Sequence, residues 1–403
     1  MKFILLLLAG LLAQPAAAQP QEGVSQTTLS GTVRDSLTQQ PLPFASVFLA
    51  NTTRGATTDG QGRYALPGVP AGRYELAATY LGYQLRQRPI TIAQASLVAD
   101  ISLPASAHTL AEVVVRPNPH READYQRFLE LFLGASTHAK QCRVRNPDAV
   151  LVDYDGQKRE LTATVPHKLE VDNLALGYRV TFYDLDFRAD FGAGTISTLA
   201  HQAFQELPGS AAKQRRWAEA RRAAYQGSLA HFLQAVRTNT VAEAGFEVRK
   251  LRRVPNRRYA RADSIRRAIY RAGGRGQAAV PDSIWRQLKE PPVYAYLFRP
   301  LLPPDSLRRT SGNRMWLRFH DLLAIDYPRA RPDANYQAPG QSLEALRVQA
   351  SVLHLNNVAE AELDARGNPL SPLDVLTEGY WGFEQMGDLL PLDYRPEPEI
   401  RGK

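Results

Sequence analysis

The residues spaced most clearly for metal chemistry are His167 and Glu170, three positions apart in the segment 166–170. A zinc peptidase uses such a His-x-x-Glu pair with a distant third ligand and keeps one coordination position open. Here the pair follows Pro166 in a segment with strand-like alternation, and residues three apart on a strand point to opposite faces. No recognisable motif supplies a third ligand, so we expect no zinc site. If Pro166 instead begins a loop or helix, the two side chains would come together.

A hydroxyl and an imidazole occur three residues apart at Ser228 and His231. On a helix these side chains can touch, which would suit nucleophilic catalysis. The serine lacks the Gly-x-Ser-x-Gly elbow that exposes the nucleophile in one large hydrolase class. We expect a helix cap or a helix-surface pair, and we keep a hydrolase that uses this region as the alternative. A cleft holding both side chains beside an acid would favour the hydrolase.

Three carboxylates and one thiol complete the candidates. Asp184, Asp186 and Asp190 offer oxygen ligands for calcium, but a solvated strand face is the expectation. Cys142 is the only cysteine, so an intrachain disulfide is excluded, and we expect a buried structural thiol. Neither a P-loop nor a dinucleotide-binding glycine motif appears. We therefore predict no catalytic, cofactor-binding or metal-binding residues and a non-enzymatic protein.

The N-terminal elements are predicted from residues 29–83, where short alternating runs are interrupted by turn residues at regular intervals. In the run 45–49 the first, third and fifth residues share one face, and Phe48 points to the other. The segment 58–62 contains Asp and Gly residues that reverse the chain. This pattern is typical of a small antiparallel β-sandwich, which is a module for binding or support.

The same segment resembles the carboxypeptidase-regulatory-like domain, a transthyretin-like (prealbumin-like) β-sandwich. The motifs that carry the resemblance are Gly31-x-Val33-x-Asp35, Pro41-Leu42-Pro43-Phe44-Ala45-x-Val47, Thr57-Thr58-Asp59-x-x-Gly62-x-Tyr64, Ala71-Gly72-x-Tyr74 and Leu81-Gly82-Tyr83. The resemblance implies an all-β domain over residues 28–115 that is not itself catalytic. Such domains accompany zinc carboxypeptidases and also occur on surface proteins of gram-negative bacteria, often ahead of outer-membrane receptors.

A second domain is predicted over residues 124–395, after a linker at 116–123. Hydrophobic spacing predicts helices at 125–133, 217–236 and 264–271, and alternation predicts several strands, including a hairpin around Asp155. No regular βαβ repeat appears, so we expect an α+β fold and a multidomain chain.

This second domain resembles a C-terminal region, without an assigned function, that accompanies the same regulatory-like domain in exported gram-negative proteins. The shared pieces are Phe132-Leu133-Gly134-x-Ser136, Ala139-Lys140-x-Cys142, Asn146-Pro147, Asn173-x-Ala175-Leu176-Gly177-Tyr178 and Ala224-Tyr225-x-Gly227-Ser228-x-x-His231-Phe232-Leu233. The resemblance supports the architecture and implies no activity.

The N-terminus predicts export. Lys2, an apolar run at 3–12 and three alanines at 16–18 form a signal peptide over residues 1–18, with cleavage before Gln19. The apolar run is short for a membrane span, and no cysteine follows it to carry a lipid anchor. We expect a periplasmic protein or one associated with the outer membrane.

The formal net charge is +9, and basic residues concentrate between Lys213 and Arg275. Export argues against nucleic acid as the partner of this segment. An anionic outer-membrane lipid surface is the better functional interpretation, against the expectation of a solvated basic surface. Another envelope protein or a glycan is the expected partner, and the sequence leaves the oligomeric state open.

The run 110–115 ends in Glu112-Val113-Val114-Val115. We interpret it as the last strand of the sandwich. The alternative is a segment that pairs with the energy-coupling protein TonB by strand addition, as in related receptors. That interpretation needs a transport barrel, and we expect the remaining residues to be too few for the usual 22-stranded barrel. An accessory component of a TonB-linked outer-membrane uptake system is a further alternative.

Overall fold

The computed structural model describes residues 27–93, 95–106, 118–273, 279–312, 314–338, 347–364 and 366–396. The predicted signal peptide 1–18 and the run 110–115 lie outside these residues, as do the first two positions of the predicted linker 116–123. The multidomain fold class is confirmed: a β-sandwich is followed by a region of antiparallel sheets and helices.

The sandwich consists of eight described strands in two sheets. They are β1 (Thr27–Asp35), β2 (Ser46–Leu49), β3 (Gly55–Thr57), β4 (Arg63–Val69), β5 (Gly72–Thr79), β6 (Arg86–Ile92), β7 (Leu97–Val98) and β8 (Ile101–Leu103). In one sheet β1 lies between β4 and β7 and also pairs with β8, and the other sheet has the order β3-β2-β5-β6.

The predicted alternation on β2 is confirmed. Val47 and Leu49 are buried in the core between the two sheets, whereas Phe48 belongs to a separate apolar cluster on the outer face. The turn at 58–62 is confirmed as well: Asp59 Oδ1 accepts hydrogen bonds from the backbone N–H groups of Gln61 and Arg63. Gly62 has φ +71°, and a Cβ there would lie 2.7 Å from the Val33 carbonyl oxygen, so the turn requires glycine.

The first sheet of the larger region is covered by one helix. This layer contains α1 (Arg121–Leu133), β9 (Cys142–Val144), β10 (Leu151–Asp155), β11 (Glu160–Asn173), β12 (Tyr178–Asp190) and β13 (Thr195–Glu206). The strands are ordered β10-β11-β12-β13, and β9 pairs with β11. Phe128 and Phe132 of α1 pack edge-on against Phe187 and Phe182 of β12. The helix predicted at 125–133 is thus confirmed.

The rest of the region is built around a second apolar core. Its elements are α2 (Ala211–Tyr225), α3 (Leu229–Thr238), β14 (Glu247–Pro255), α4 (Arg257–Arg271), α5 (Asp282–Leu288), β15 (Val293–Leu301), β16 (Arg308–Ser311), β17 (Arg314–Arg318), β18 (Leu322–Tyr327), β19 (Gln349–Leu355), β20 (Glu360–Leu363), β21 (Val375–Gly379) and α6 (Tyr380–Phe383). One sheet has the order β15-β14-β18-β19-β21 and another β16-β17-β20. Every described strand pair of the larger region is antiparallel, which confirms the α+β class.

The single helix predicted over 217–236 is wrong. Two helices, α2 and α3, occupy this stretch, separated at Gln226 and Gly227. Gly227 has φ +84°, and a Cβ there would lie 2.3 Å from Gln349 Oε1. The chain turns at this glycine because only a residue without a side chain can approach β19 so closely.

Candidate functional site

The sandwich is joined to the larger region through its outer face. Phe48 is 3% exposed and stacks on Tyr183 of β12, with ring centroids 4.9 Å apart and an angle of 20° between the planes. Ala77 of β5 is fully buried in the same cluster. The apolar side chains on this face therefore form a packed junction between the two regions.

Backbone hydrogen bonds continue the junction beside this cluster. The Asn51 N–H donates to the Gln202 carbonyl at 2.7 Å, and the Phe204 N–H donates to the Thr52 carbonyl at 3.0 Å. The loop after β2 thus pairs with β13, a strand that has no other described neighbour on that side. The sandwich thereby covers an exposed sheet edge.

The C-terminal segment closes the junction. Asp393 Oδ1 accepts a hydrogen bond from the Thr53 backbone N–H at 3.0 Å, and Asp393 Oδ2 accepts one from the Thr53 hydroxyl at 2.7 Å. The same carboxylate lies 3.7 Å from the Arg54 guanidinium. The Leu392 N–H donates to the Asn51 carbonyl at 2.7 Å. Asp393 thus fixes the loop after β2, although it lies 340 positions from Thr53 in the chain.

His167 and Glu170 both lie on β11, which confirms the predicted strand. A bulge separates Val165 from Lys168 in the pairing with β12, and His167 lies within it. Lys168 Nζ donates to Glu170 Oε1 at 2.7 Å, so the glutamate is paired with a lysine. His167 instead lines a cavity of about 220 Å³ beside the junction. The two side chains thus have different surroundings.

The three aspartates of β12 are not grouped as a set of ligands for one cation among the described residues. A register shift separates Tyr183 from Asp186 in the pairing with β13, and Asp184 has φ +50°. Asp190 Oδ1 accepts hydrogen bonds from the N–H groups of Gly192 and Ala193, which lower the pKa of its carboxyl. Within the described part of the chain, no three His, Cys, Asp or Glu side chains are grouped so as to hold a metal ion.

Ser228 caps helix α3. Its Oγ accepts a hydrogen bond from the His231 backbone N–H at 3.2 Å and donates to the Tyr225 carbonyl at 2.8 Å. The imidazole of His231 packs between Tyr225 and Phe246, each with a centroid distance of 5.0 Å. His231 Nδ1 accepts from the Gly227 N–H at 3.2 Å. Burial, reinforced by the nearby Arg329, lowers the pKa of His231 to about 4. This is the geometry of a cap on a packed helix start.

Cys142 lies at the start of β9 and is partly buried. Burial raises the pKa of its thiol to about 12, and the negative charge of Asp388 acts in the same direction. A nucleophilic cysteine requires a lowered pKa, and this environment has the opposite effect.

The sequence analysis missed a polar network beside that thiol. Asp388 Oδ1 accepts a hydrogen bond from the Ser136 hydroxyl at 2.9 Å and lies 3.0 Å from His138 Nδ1. Asp388 Oδ2 is buried without a hydrogen-bond partner among the described residues. Burial, reinforced by Asp388, raises the pKa of Glu384 well above its usual range, which favours the neutral acid.

His138 borders an open groove of about 600 Å³ between the 3₁₀ turn Ala139–Gln141 and one face of α2. Trp217 and Leu174 contribute apolar surface, and Lys213 and Arg216 contribute positive charge. The groove suits a small anionic or polar ligand. Its lining also includes Thr137 and Glu219, and the raised pKa of the nearby Cys142 thiol disfavours a thiolate nucleophile.

The signal in the sequence for this network was the resemblance of Phe132-Leu133-Gly134-x-Ser136 and Ala139-Lys140-x-Cys142 to a region without an assigned function. His138 and Asp388 are 250 residues apart, so spacing cannot reveal the pair.

One comparison with known proteins concerns the sandwich directly. Residues 29–115 match the family described as the CarboxypepD_reg-like domain. A protein named TonB-dependent receptor P39, from Formosa agariphila, is 34% identical over 93 residues, which are 23% of this chain and 8% of that receptor. The N-terminal sandwich is therefore a carboxypeptidase-regulatory-like domain, and the match spans less than a tenth of the receptor.

Solved structures share short similarities with this chain. A cohesin–X-dockerin complex from Acetivibrio cellulolyticus is 25% identical, with a TM-score of 0.18, covering 20% of this chain and 58% of that one. The 5-hydroxyisourate hydrolase of Klebsiella pneumoniae is 23% identical, with a TM-score of 0.17, covering 20% and 90%. Catechol 1,2-dioxygenase from Acinetobacter sp. ADP1 is 15% identical, with a TM-score of 0.18, covering 22% and 55%. These TM-scores are too low to support an inference about function.

Proposed function

We propose that this chain is an exported, non-enzymatic protein of the cell envelope in which the regulatory-like sandwich is a support module for the larger domain. The domain family and the similarity to a TonB-dependent receptor are compatible with an envelope association. The signal-peptide pattern of residues 1–18 supports export.

The observation that carries the support role is the packed junction. The sandwich buries Phe48 against Tyr183 and pairs its Asn51–Thr52 loop with β13. A free binding module would leave such a face exposed to solvent. Here the face covers a sheet edge of the neighbouring domain, which protects that edge from non-specific pairing.

The chemistry of the candidate residues supports a role without catalysis. The Ser228 hydroxyl is engaged with backbone groups of the helix start, and the Cys142 thiol has a raised pKa. His231 packs among aromatic rings. A hydrolase would need one of these nucleophiles activated by a neighbouring base.

Two measurements on the mature chain test the proposal. Incubation with a fluorophosphonate that labels activated serines should leave Ser228 unmodified, with a serine hydrolase as the positive control. Thermal unfolding should show the sandwich and the larger domain melting together, and Phe48→Ala should separate the transitions. Labelling that disappears in Ser228→Ala would establish the hydrolase instead.

An accessory role in a TonB-linked uptake system is the second candidate, and the receptor similarity favours it. The segment 112–115 would pair with TonB by strand addition. Pull-down of the mature chain with the C-terminal domain of TonB tests this role, with Val114→Pro as the variant that should abolish pairing. Equal recovery of the unaltered chain and the Val114→Pro variant would exclude this role.

A further inference from the structure

One part of the larger domain projects from the sheet to which it belongs. We define the β14–β15 arm as residues 252–273 and 279–299, which comprise the end of β14, helices α4 and α5, and most of β15. Residues 247–251 of β14 pair with β18, and Arg249 and Leu251 also pair with β15, whereas residues 252–255 pair with β15 alone. The base of the arm is held by the Arg253 guanidinium, which donates two hydrogen bonds to the Glu378 carboxylate.

Strand β15 is an edge strand with large apolar side chains in solvent. All nine of its residues are exposed. The apolar side chains are Val293 (41% exposed), Tyr294 (37%), Tyr296 (54%), Leu297 (55%), Phe298 (43%) and Leu301 (54%). Because successive residues of a strand face opposite sides, apolar surface is exposed on both faces. Contiguous exposure of this kind marks an interaction surface.

The segment 252–299, which contains the arm, has an excess of positively charged residues. Residues 252–299 contain twelve Arg and Lys residues against three Asp and Glu residues. This excess of nine equals the formal net charge of the whole chain, +9. The arginines of α4 therefore account for much of the overall basicity.

Several of these cations have no acidic partner. Within the part of the chain that the structure describes, no carboxylate lies within 4.0 Å of seven of these side chains, which are those of Arg252, Arg257, Arg261, Arg271, Arg286, Lys289 and Arg299. Arg257, Arg261 and Arg271 share the solvent-exposed side of α4, opposite the buried Ala262. Guanidinium groups without an acidic partner suit phosphate groups at an apolar boundary.

We propose that the β14–β15 arm docks onto a membrane surface of anionic phospholipid, with its arginines on the lipid phosphates and its β15 side chains in the headgroup layer. The inference rests on the proposed envelope function for its setting. Among the described residues no strand pairs with the outer edge of β15, and unpaired backbone groups are costly in hydrocarbon, so the contact stays at the hydrated interface.

The charge and exposure of the arm favour a lipid surface over protein partners. A second copy of the chain would place two strongly positive arms side by side. A partner strand would pair with the edge of β15 but would leave side chains on both faces and the arginines of α4 uncovered. A headgroup layer can contact the side chains on both faces of β15 and the arginines of α4 at the same time.

Vesicle sedimentation with the mature chain tests the inference. We expect binding to vesicles of phosphatidylethanolamine with phosphatidylglycerol and none to phosphatidylcholine alone. The triple variant Arg257→Gln/Arg261→Gln/Arg271→Gln should weaken binding by about a hundredfold, since each cation near an anionic surface contributes about 1 kcal/mol. Tyr296→Ser/Leu297→Ser should weaken it as well.

The matched control is Arg86→Gln/Arg88→Gln/Arg143→Gln, which removes the same charge from exposed positions outside the arm. It should bind as the unaltered chain does. The inference is overturned if phosphatidylglycerol vesicles are not bound, or if this control variant loses as much affinity as the arm variant. It is also overturned if only Tyr296→Ser/Leu297→Ser loses binding, because that result indicates an apolar protein interface. Arm-dependent vesicle binding by a protein that is labelled at Ser228 would contradict the proposed function and leave this inference standing.

Discussion

The junction and the β14–β15 arm both have apolar side chains on a strand, but these side chains are buried at the junction and exposed on the arm. Phe48 on β2 is 3% exposed because Tyr183 covers it, whereas Tyr296 on β15 is 54% exposed. The junction is also closed by backbone pairing and by Asp393 from the C-terminal segment. The arm has no comparable cover among the described residues.

The two surfaces therefore serve different purposes, since one stabilises the fold and the other is available for binding. The covered face contributes free energy to folding, because apolar area leaves water when the two domains pack. The uncovered face contributes none, and its cost is tolerated where it serves binding. Substitutions in the two places should therefore change different measured quantities.

The largest effect is expected from Phe48→Ala. Removal of a buried aromatic side chain from the junction should lower the free energy of unfolding by about 3 kcal/mol, measured by urea denaturation. Phe298→Ala on the arm is the matched control and should change it by less than about 0.5 kcal/mol. Equal losses for both variants would remove the distinction between the covered and the open strand.

Asp393→Ala should have the next largest effect. It removes two hydrogen bonds to Thr53 and the ion pair with Arg54, so a loss of about 1–2 kcal/mol is expected in the same assay. Asp305→Ala provides the control, since that carboxylate pairs with Arg308 at an exposed site. If Asp393→Ala is no more destabilising than the control, the C-terminal segment does not fasten the junction.

A decrease in pH should lower the stability of the folded chain but leave vesicle binding by the arm unchanged. The pKa of His231 is about 4 in the folded protein, against an ordinary value of 6.5, so the unfolded chain binds more protons between these values. Stability should therefore fall by about 1 kcal/mol, after allowance for partial solvent screening, as the pH decreases through this window.

His231→Phe should flatten that part of the pH profile. Vesicle binding by the arm should stay constant over the same range, because arginine does not titrate there. An unchanged slope in the His231→Phe variant would assign the acid sensitivity to other groups.

The smallest effect on stability is expected for Tyr296→Ser/Leu297→Ser on β15. Both side chains are more than half exposed, so the free energy of unfolding should change by less than about 0.5 kcal/mol. Light scattering of concentrated protein should decrease, because less apolar surface remains exposed on an edge strand. A loss above 1 kcal/mol would show that the strand is covered in solution.

The sandwich could be predicted in detail because its information is local. Alternation on β2 placed Phe48 opposite Val47 and Leu49, and the turn around Gly62 followed from Asp and Gly chemistry. The strand through Leu169 and the helix before Gly134 were confirmed for the same reason. These features depend on residues within a few positions of one another.

The larger domain was less predictable because its elements are defined by distant contacts. The helix break at Gly227 depends on β19, more than a hundred residues away. Strand β13 was not predicted, since it lacks buried alternation over much of its length and is paired by β12. The boundary at residues 116–123 stays a prediction.

The sequence by itself determined the regulatory-like sandwich, the α+β class and the concentration of arginine between positions 252 and 271. Each is encoded in neighbouring residues or in composition. Only the tertiary structure decided that Phe48 is covered and Tyr296 is not, and that His138 meets Asp388. Alternation assigns a side chain to one face of a strand, but the chain segment that packs on that face comes from a remote part of the sequence, and packing alone selects it.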